Sequence, residues 1–470
     1  MEYQTSIPMM NGHTEPNSKQ TTIVTKEWSI NGSPKALGTI NPIRRIVDEL
    51  NLTPNPEKVM IPLSIGDPTL SGDFKPCKEI IDAVKCSLES GSFNGYSPAS
   101  GREDARQAIA DYCSSYGMTV NSKDIIITSG CSHALDLALA AIAIPGCNIL
   151  APRPGFPLYK TLSTLLDFNI RYYDLLPENG WQIDLKHLES QIDDNTAAII
   201  YNNPSNPCGS VFSRKHIIDF LEIAERNRLP VIADEIYEDL VFPGNQFYAL
   251  ASQSSEVPIL HCSGLTKKFM VPGWRLGWIA INDRKNRFGN EIRAGLNALS
   301  QRIIGSNTII QGAIPAILKN TPKSFFEENI DYICNNAMMA YRRLKVVPGL
   351  IPIKPAGAFY MMVKIEIDRF PDFRNDLHLV ESLVSDESVF CLPGNCFEYP
   401  GYVRLALALS NEMNYDNESQ RNDNRPNDYN RTTVKHFEIF TQDGDRLLVN
   451  IHQHHRGKIF EFGLYANFSV

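Results

Sequence analysis

The chain has 470 residues, 43% hydrophobic and 21% charged, the proportions of a soluble globular protein with room for two or three domains. Its 45 basic and 53 acidic residues leave a net charge of −8, which argues against a nucleic-acid or anionic-membrane surface. The 10 scattered cysteines form no CxxC pair and read as reduced thiols. No basic-then-apolar leader and no membrane-length apolar run is seen, so the expected location is the cytosol, with mitochondria the alternative.

Residues 1–25 are polar and aperiodic and are expected to form a disordered tail. Residues 42–50 have helical spacing with a proline at the start, where it is tolerated. A short strand is expected over 61–65, ending in a turn at Gly66, where a ligand has room to approach the backbone. Helices at 78–90 and 102–116 enclose the Asn94-Gly95-Tyr96 loop, with its exposed tyrosine.

From residue 124 an alternating strand–helix pattern begins. The apolar run 124–128 suits a sheet buried on both faces. It leads through small residues into a helix whose first amides, at Cys131 and Ser132, suit a phosphate. After the strand at 148–151 comes a loop carrying Phe156, an aromatic that fits either a stacking role or the core. The strand at 197–201 runs into a rigid turn exposing Asn202, Asn203 and Asn206. The strand at 231–233 ends at Asp234, a carboxylate that is expensive to bury without a cationic partner, and Tyr237 follows. The strand at 258–262 delivers Ser263 and Lys267 to the same edge, where an open α/β sheet binds ligands. A desolvated lysine attacks carbonyls and an arginine eight residues on, Arg275, suits a phosphate, so the pair points to pyridoxal phosphate; a solvated basic loop is the plainer alternative.

A long helix over 322–344 then enters a second unit with strands at 351–353, 357–363 and 402–407. Arg404 lies inside the last of these and needs a carboxylate, from a substrate or from a buried acidic residue. Residues 414–427 are too polar to bury a face. Beyond them His452, His454 and His455 lack the ligand spacing of a metal site, and none is expected.

Taken together, the motifs Asn41-Pro42-Ile43-Arg44, Ser64-Ile65-Gly66-Asp67-Pro68, Asn94-Gly95-Tyr96, Ser129-Gly130-Cys131-Ser132, Pro154-Gly155-Phe156, Asn202 to Ser213, Ala233-Asp234-Glu235-Ile236-Tyr237 and Val271 to Trp278 resemble those of the fold-type I, pyridoxal-phosphate-dependent aminotransferases. The likeness runs from about residue 28 to 413. It implies an α/β fold, with a large cofactor-binding domain (76–320) whose mostly parallel sheet is flanked by helices. A smaller α+β domain (321–413) would be completed by the N-terminal arm (26–75), and so built from both chain ends.

The resemblance makes Lys267 the cofactor-bound lysine and proton shuttle, and Lys268 a bystander. It implies that Asp234 keeps the ring nitrogen protonated, that Tyr237 and Asn206 bond the phenolic oxygen, and that Phe156 stacks on the ring. Arg275, Ser263, Cys131 and Ser132 would cradle the phosphate, and Tyr96 would reach the phosphate of a neighbouring subunit, implying a homodimer. Arg404, Gly66 and Asn206 would hold the substrate carboxylate.

The reaction implied passes the amino group of L-tyrosine to 2-oxoglutarate, giving 4-hydroxyphenylpyruvate and glutamate. Transamination of alanine or other amino acids, or β-elimination at cysteine conjugates, is the alternative chemistry. A cofactor-free dimer partner is the non-enzymatic reading. The family would continue after residue 413 into a helix packed on the small domain, so 414–470 is an atypical extension.

Overall fold

The computed structural model describes residues 28, 30–50 and 52–409, together with three strands at 432–440, 446–454 and 460–467. The expected tail at 1–25, the polar stretch at 414–427 and His455 lie outside the described residues.

The main sheet has eight strands: β1 (Ile125–Thr128), β2 (Asn148–Arg153), β3 (Asn169–Leu176), β4 (Gln182–Ile183), β5 (Thr196–Asn202), β6 (Val231–Asp234), β7 (Ile259–Gly264) and β8 (Gly277–Asn282). Their order is β1-β8-β7-β6-β5-β2-β3-β4. Strands β7, β6, β5, β2 and β3 are parallel, whereas β8 runs against both of its neighbours. The C-terminal ends of β1, β5, β6 and β7 therefore share one edge. Strands β1, β6 and β7 are buried throughout, and β1 and β6 are almost wholly Val, Ile and Ala, as a sheet covered on both faces requires. The apolar helix Cys131–Ile142 lies against β6, β7 and β8 and is itself covered by the helix Gly289–Ser300.

A second, antiparallel sheet consists of β9 (Leu350–Pro352), β10 (Tyr360–Ile365), β11 (Leu392–Pro393) and β12 (Tyr402–Ala406), in the order β11-β12-β10-β9. The early chain joins it. Ile46, on the helix Pro42–Glu49, is buried with Leu392, Cys396 and Phe397, and the Ala406 amide donates to the Leu63 carbonyl at 2.8 Å.

Two expected strands are shorter than the pattern suggests. The one at 61–65 reduces to a bridge between Ile61 and Val389, since Pro62 has no N–H to extend a ladder. The one at 357–363 begins only at Tyr360, because the chain turns at Ala358, which has φ 53°. At the far end β13 (Thr432–Phe440), β14 (Arg446–His454) and β15 (Phe460–Asn467) form a third, antiparallel sheet that the sequence reading did not anticipate. Among the described residues no helix is long and apolar enough to cross a membrane.

Candidate active site

A cavity of about 570 Å³ opens where the C-terminal edge of the main sheet meets the small sheet. Gly66, Cys131, Ser132, Phe156, Asn206, Asp234, Tyr237, Lys267, Arg275 and Arg404 all line it. Of the residues given a cofactor or substrate contact in the sequence, two do not, and Asn203, expected to be exposed by its turn, is buried. Ser263 is buried beneath the lining, with its hydroxyl unpaired, and Tyr96 is 91% exposed, away from the cavity.

One end of the cavity is built to take an anion. The helix Cys131–Ile142 begins here without a side-chain cap, so its first amides are open. Arg275 reaches across from the loop before β8 and is anchored by donating to the carbonyls of Pro272 (2.9 Å) and Ser129 (3.4 Å). Room for this guanidinium exists only because residue 130 is glycine, at φ 83°: a Cβ there would lie 2.4 Å from an Arg275 nitrogen. Arg275 itself holds φ 51°, a conformation of the left-handed region that costs a side-chain-bearing residue some strain. The buried hydroxyl oxygens of Thr266 and Ser263 have no partner among the described residues.

At the floor, β6 delivers Asp234, buried, with two donors on its carboxylate. The Tyr159 hydroxyl donates to Oδ2 at 2.7 Å, and the Cys131 thiol lies 3.8 Å from Oδ1. Burial pushes the carboxyl up to about 6, against the pull of these donors. Phe156 packs edge-on against Tyr159, with ring centroids 5.8 Å apart.

Lys267 enters from the loop after β7. Its Nζ donates to the Gly66 carbonyl at 2.5 Å and lies 5.7 Å from the Tyr237 ring centroid and 5.8 Å from that of Phe359. Its neighbour Lys268 points the other way. It is 6% exposed and donates to Asp239 (2.7 Å), Tyr116 (2.6 Å) and Tyr112 (3.0 Å). Neither lysine is a solvated surface charge; Lys268 does not line the cavity and is an anchored structural cation. Deeper still, His261 lies between Glu235 (2.8 Å) and Glu238 (3.7 Å). Burial opposes its charge, but the two carboxylates outweigh that and hold its pKa above the ordinary value.

Opposite Lys267, β12 presents Arg404. It donates to Oδ1 of Asn206 at 3.0 Å and to the Ser64 carbonyl, and its guanidinium lies over the rings of Tyr360 (4.2 Å) and Phe397 (4.9 Å). Among the described residues no acidic side chain pairs with it, and its buried Nε has no partner there. An unpaired buried guanidinium suits a ligand carboxylate.

Three features escaped the sequence reading. Tyr159 and Tyr360 lie in apolar stretches and read as core. The helix Pro42–Glu49 was given no role, yet it brings Ile43, Arg44 and Val47 to the cavity rim. Its only sequence signal is the Asn-Pro-Ile-Arg motif.

The comparisons agree with this geometry. The model of the family "Aminotransferase class I and II" matches residues 58–417. The human tyrosine aminotransferase is 50% identical over 386 residues, covering 82% of this chain and 85% of that one. Among solved structures, a tyrosine aminotransferase from Leishmania infantum superposes with a TM-score of 0.78 at 33% identity, covering 82% of this chain and 95% of the other. An alanine aminotransferase from Pyrococcus furiosus gives 0.75 at 29% identity, covering 82% and 96%. A cavity lined by Lys267, the buried Asp234, Arg275 and Arg404, on this fold and with this likeness, leaves one assignment: the chain belongs to the class I and II aminotransferase family.

Proposed function

We propose that this protein transfers the amino group of L-tyrosine to 2-oxoglutarate, yielding 4-hydroxyphenylpyruvate and L-glutamate, with pyridoxal phosphate as its cofactor. The observation that carries the reading is the convergence of Lys267, Asp234, Arg275 and Arg404 on one cavity. The likeness to the human enzyme, at 50% identity, supports the choice of substrate.

The residues present fit the cofactor. Its phosphate would take the open helix start at Cys131 and Ser132, the Arg275 fork and the unpaired hydroxyls of Ser263 and Thr266. Its ring nitrogen would be the cationic partner that the buried Asp234 lacks, and Phe156 would cover the ring. When bound, pyridoxal phosphate supplies an aldehyde for Lys267 and a ring that accepts the electron pair released at the substrate α-carbon.

Lys267 would hold the cofactor through Nζ and, once the substrate amine has displaced it, would move a proton from the substrate α-carbon. Asp234, ionised by that partner, would hold the ring-nitrogen proton in place. Tyr237 and Asn206 would donate to the phenolic oxygen. Arg404 grips the substrate α-carboxylate, aided by Asn206 and the Gly66 backbone, and so orients the α-carbon toward Lys267.

Tyr96, exposed on the loop after the helix Lys78–Glu89, is available to a second copy of the chain, and we place the active form as a homodimer in the cytosol.

The test is turnover of tyrosine with 2-oxoglutarate by the purified, cofactor-loaded protein. Release of 4-hydroxyphenylpyruvate at a rate above that with alanine or a cysteine conjugate supports the assignment. A wide margin in favour of either competitor contradicts it.

A further inference from the structure

Tyr360 touches three parts of the site at once. Its hydroxyl is 2.7 Å from that of Tyr237. Its ring lies beneath the Arg404 guanidinium, 4.2 Å from centroid to carbon. Its hydroxyl also fills the space beside Gly66, 1.9 Å from where a Cβ would sit. The register explains the placement: Met362 of β10 faces Arg404 of β12, so Tyr360, two residues earlier, is a diagonal neighbour of Arg404 on one face of the small sheet.

The bond between the two hydroxyls has two possible directions, and the surroundings choose one. A cation over an aromatic face draws on its electron density and makes the phenol a stronger donor. Arg404 is permanently charged and close to Tyr360. The corresponding cation for Tyr237 is Lys267, which lies farther off, 5.7 Å from the ring, and is already committed to the Gly66 carbonyl. With Tyr360 as the donor, the proton of Tyr237 is left free to face the cavity that it lines. The charged groups facing the pair are Arg404 from β12, Asp234 from the end of β6 and Lys267 from the loop after β7.

We infer that Tyr360 is a positioning residue linking the two halves of the site: it donates to Tyr237, aims that hydroxyl at the cofactor's phenolic oxygen, and loosens its hold when a substrate carboxylate neutralises Arg404. The inference rests on the roles of Tyr237 and Arg404 in the proposed function. Filling the carboxylate subsite is thereby communicated to the reacting end of the cofactor by one aromatic ring and one hydrogen bond.

The test is a pH titration of the visible absorption of the pyridoxal-phosphate-loaded enzyme, in the wild type, Tyr360→Phe, Tyr237→Phe and the double variant. A donor on the phenolic oxygen favours its charged, deprotonated form, so weakening the donor raises the midpoint. Tyr360→Phe should raise it by several tenths of a pH unit, in the same direction as Tyr237→Phe, and the double variant should go no further than Tyr237→Phe. The ring under Arg404 is kept in Tyr360→Phe, so KM should stay within about twofold while kcat falls about three- to tenfold, the worth of one neutral hydrogen bond. Hydrocinnamate, a carboxylate that cannot react, should raise the wild-type midpoint and raise that of Tyr360→Phe by less than half as much. An unmoved midpoint in Tyr360→Phe, full additivity in the double variant, or an equal hydrocinnamate response in both proteins overturns the inference alone. A wild type with no visible band abolished by Lys267→Ala overturns the site reading, and this inference with it.

Discussion

The Tyr159 hydroxyl donates to Oδ2 of Asp234 at 2.7 Å, tying the first turn of the helix Leu158–Leu166 to the end of β6. A hydrogen bond to a buried carboxylate favours its charged form, the form that can pair with a cationic ring nitrogen. Replacing Tyr159 by Phe keeps the ring and removes the donor. The expected loss is about 1.5–3 kcal/mol of stability at pH 8, where Asp234 is ionised, and less at pH 5. Urea denaturation at the two pH values checks this, and an equal loss at both would contradict it.

Asp234 also gives the cofactor-free protein a pH term of definite sign. Its folded pKa is raised from 3.8 to about 6 by burial, so between those values the folded state keeps a proton that the unfolded chain has released. The corresponding stability is fully present below about pH 4 and is lost as the pH rises through about 6, on the order of 3 kcal/mol in all. Asp234→Asn should flatten this part of the stability–pH curve. Loading pyridoxal phosphate should flatten it too, since a cationic partner makes ionised Asp234 the favoured form.

Lys268→Met should destabilise the fold while sparing the site. It strands Asp239 and the nearby buried Glu238. Breaking a wholly buried ion pair costs more, but the Asp239 side chain is 40% exposed, so about 2 kcal/mol is expected. Urea denaturation measures the loss. The visible band of the loaded protein should survive in this variant and vanish in Lys267→Ala.

Gly66→Ala places a methyl group 1.9 Å from the Tyr360 hydroxyl, a contact that must be relieved by moving the ring under Arg404 or the loop that carries the Gly66 carbonyl. Overpacking of this kind costs about 1–3 kcal/mol, so kcat/KM should fall about 10- to 100-fold. Steady-state kinetics beside a thermal melt will separate a local effect from unfolding.

How much of this was legible in the letters follows from the kind of signal each residue leaves. Asp234, Lys267 and Arg404 stood out because charge at the end of, or within, an apolar strand demands a partner, and the structure places all three on one cavity. Strands β1 and β6 were readable as apolar runs, whereas β4 and β8 were not singled out in the sequence. Tyr159 and Tyr360 left no comparable mark, because a tyrosine among apolar residues looks the same whether its hydroxyl is idle or holds a carboxylate. Sequence gives no direction for a side chain, so the contacts of Lys268 were not legible: adjacent lysines leave this loop toward opposite environments, and of the two only Lys267 lines the cavity. The short strand at 61 failed on Pro62, whose effect on a ladder depends on which edge it meets.

The most direct test of the account is borohydride reduction of the pyridoxal-phosphate-loaded protein, followed by peptide mapping. The account predicts one labelled lysine, Lys267, with Lys268 unlabelled behind its contacts to Asp239 and the two tyrosines. A label on Lys268, or no label on a correctly folded protein, would contradict it.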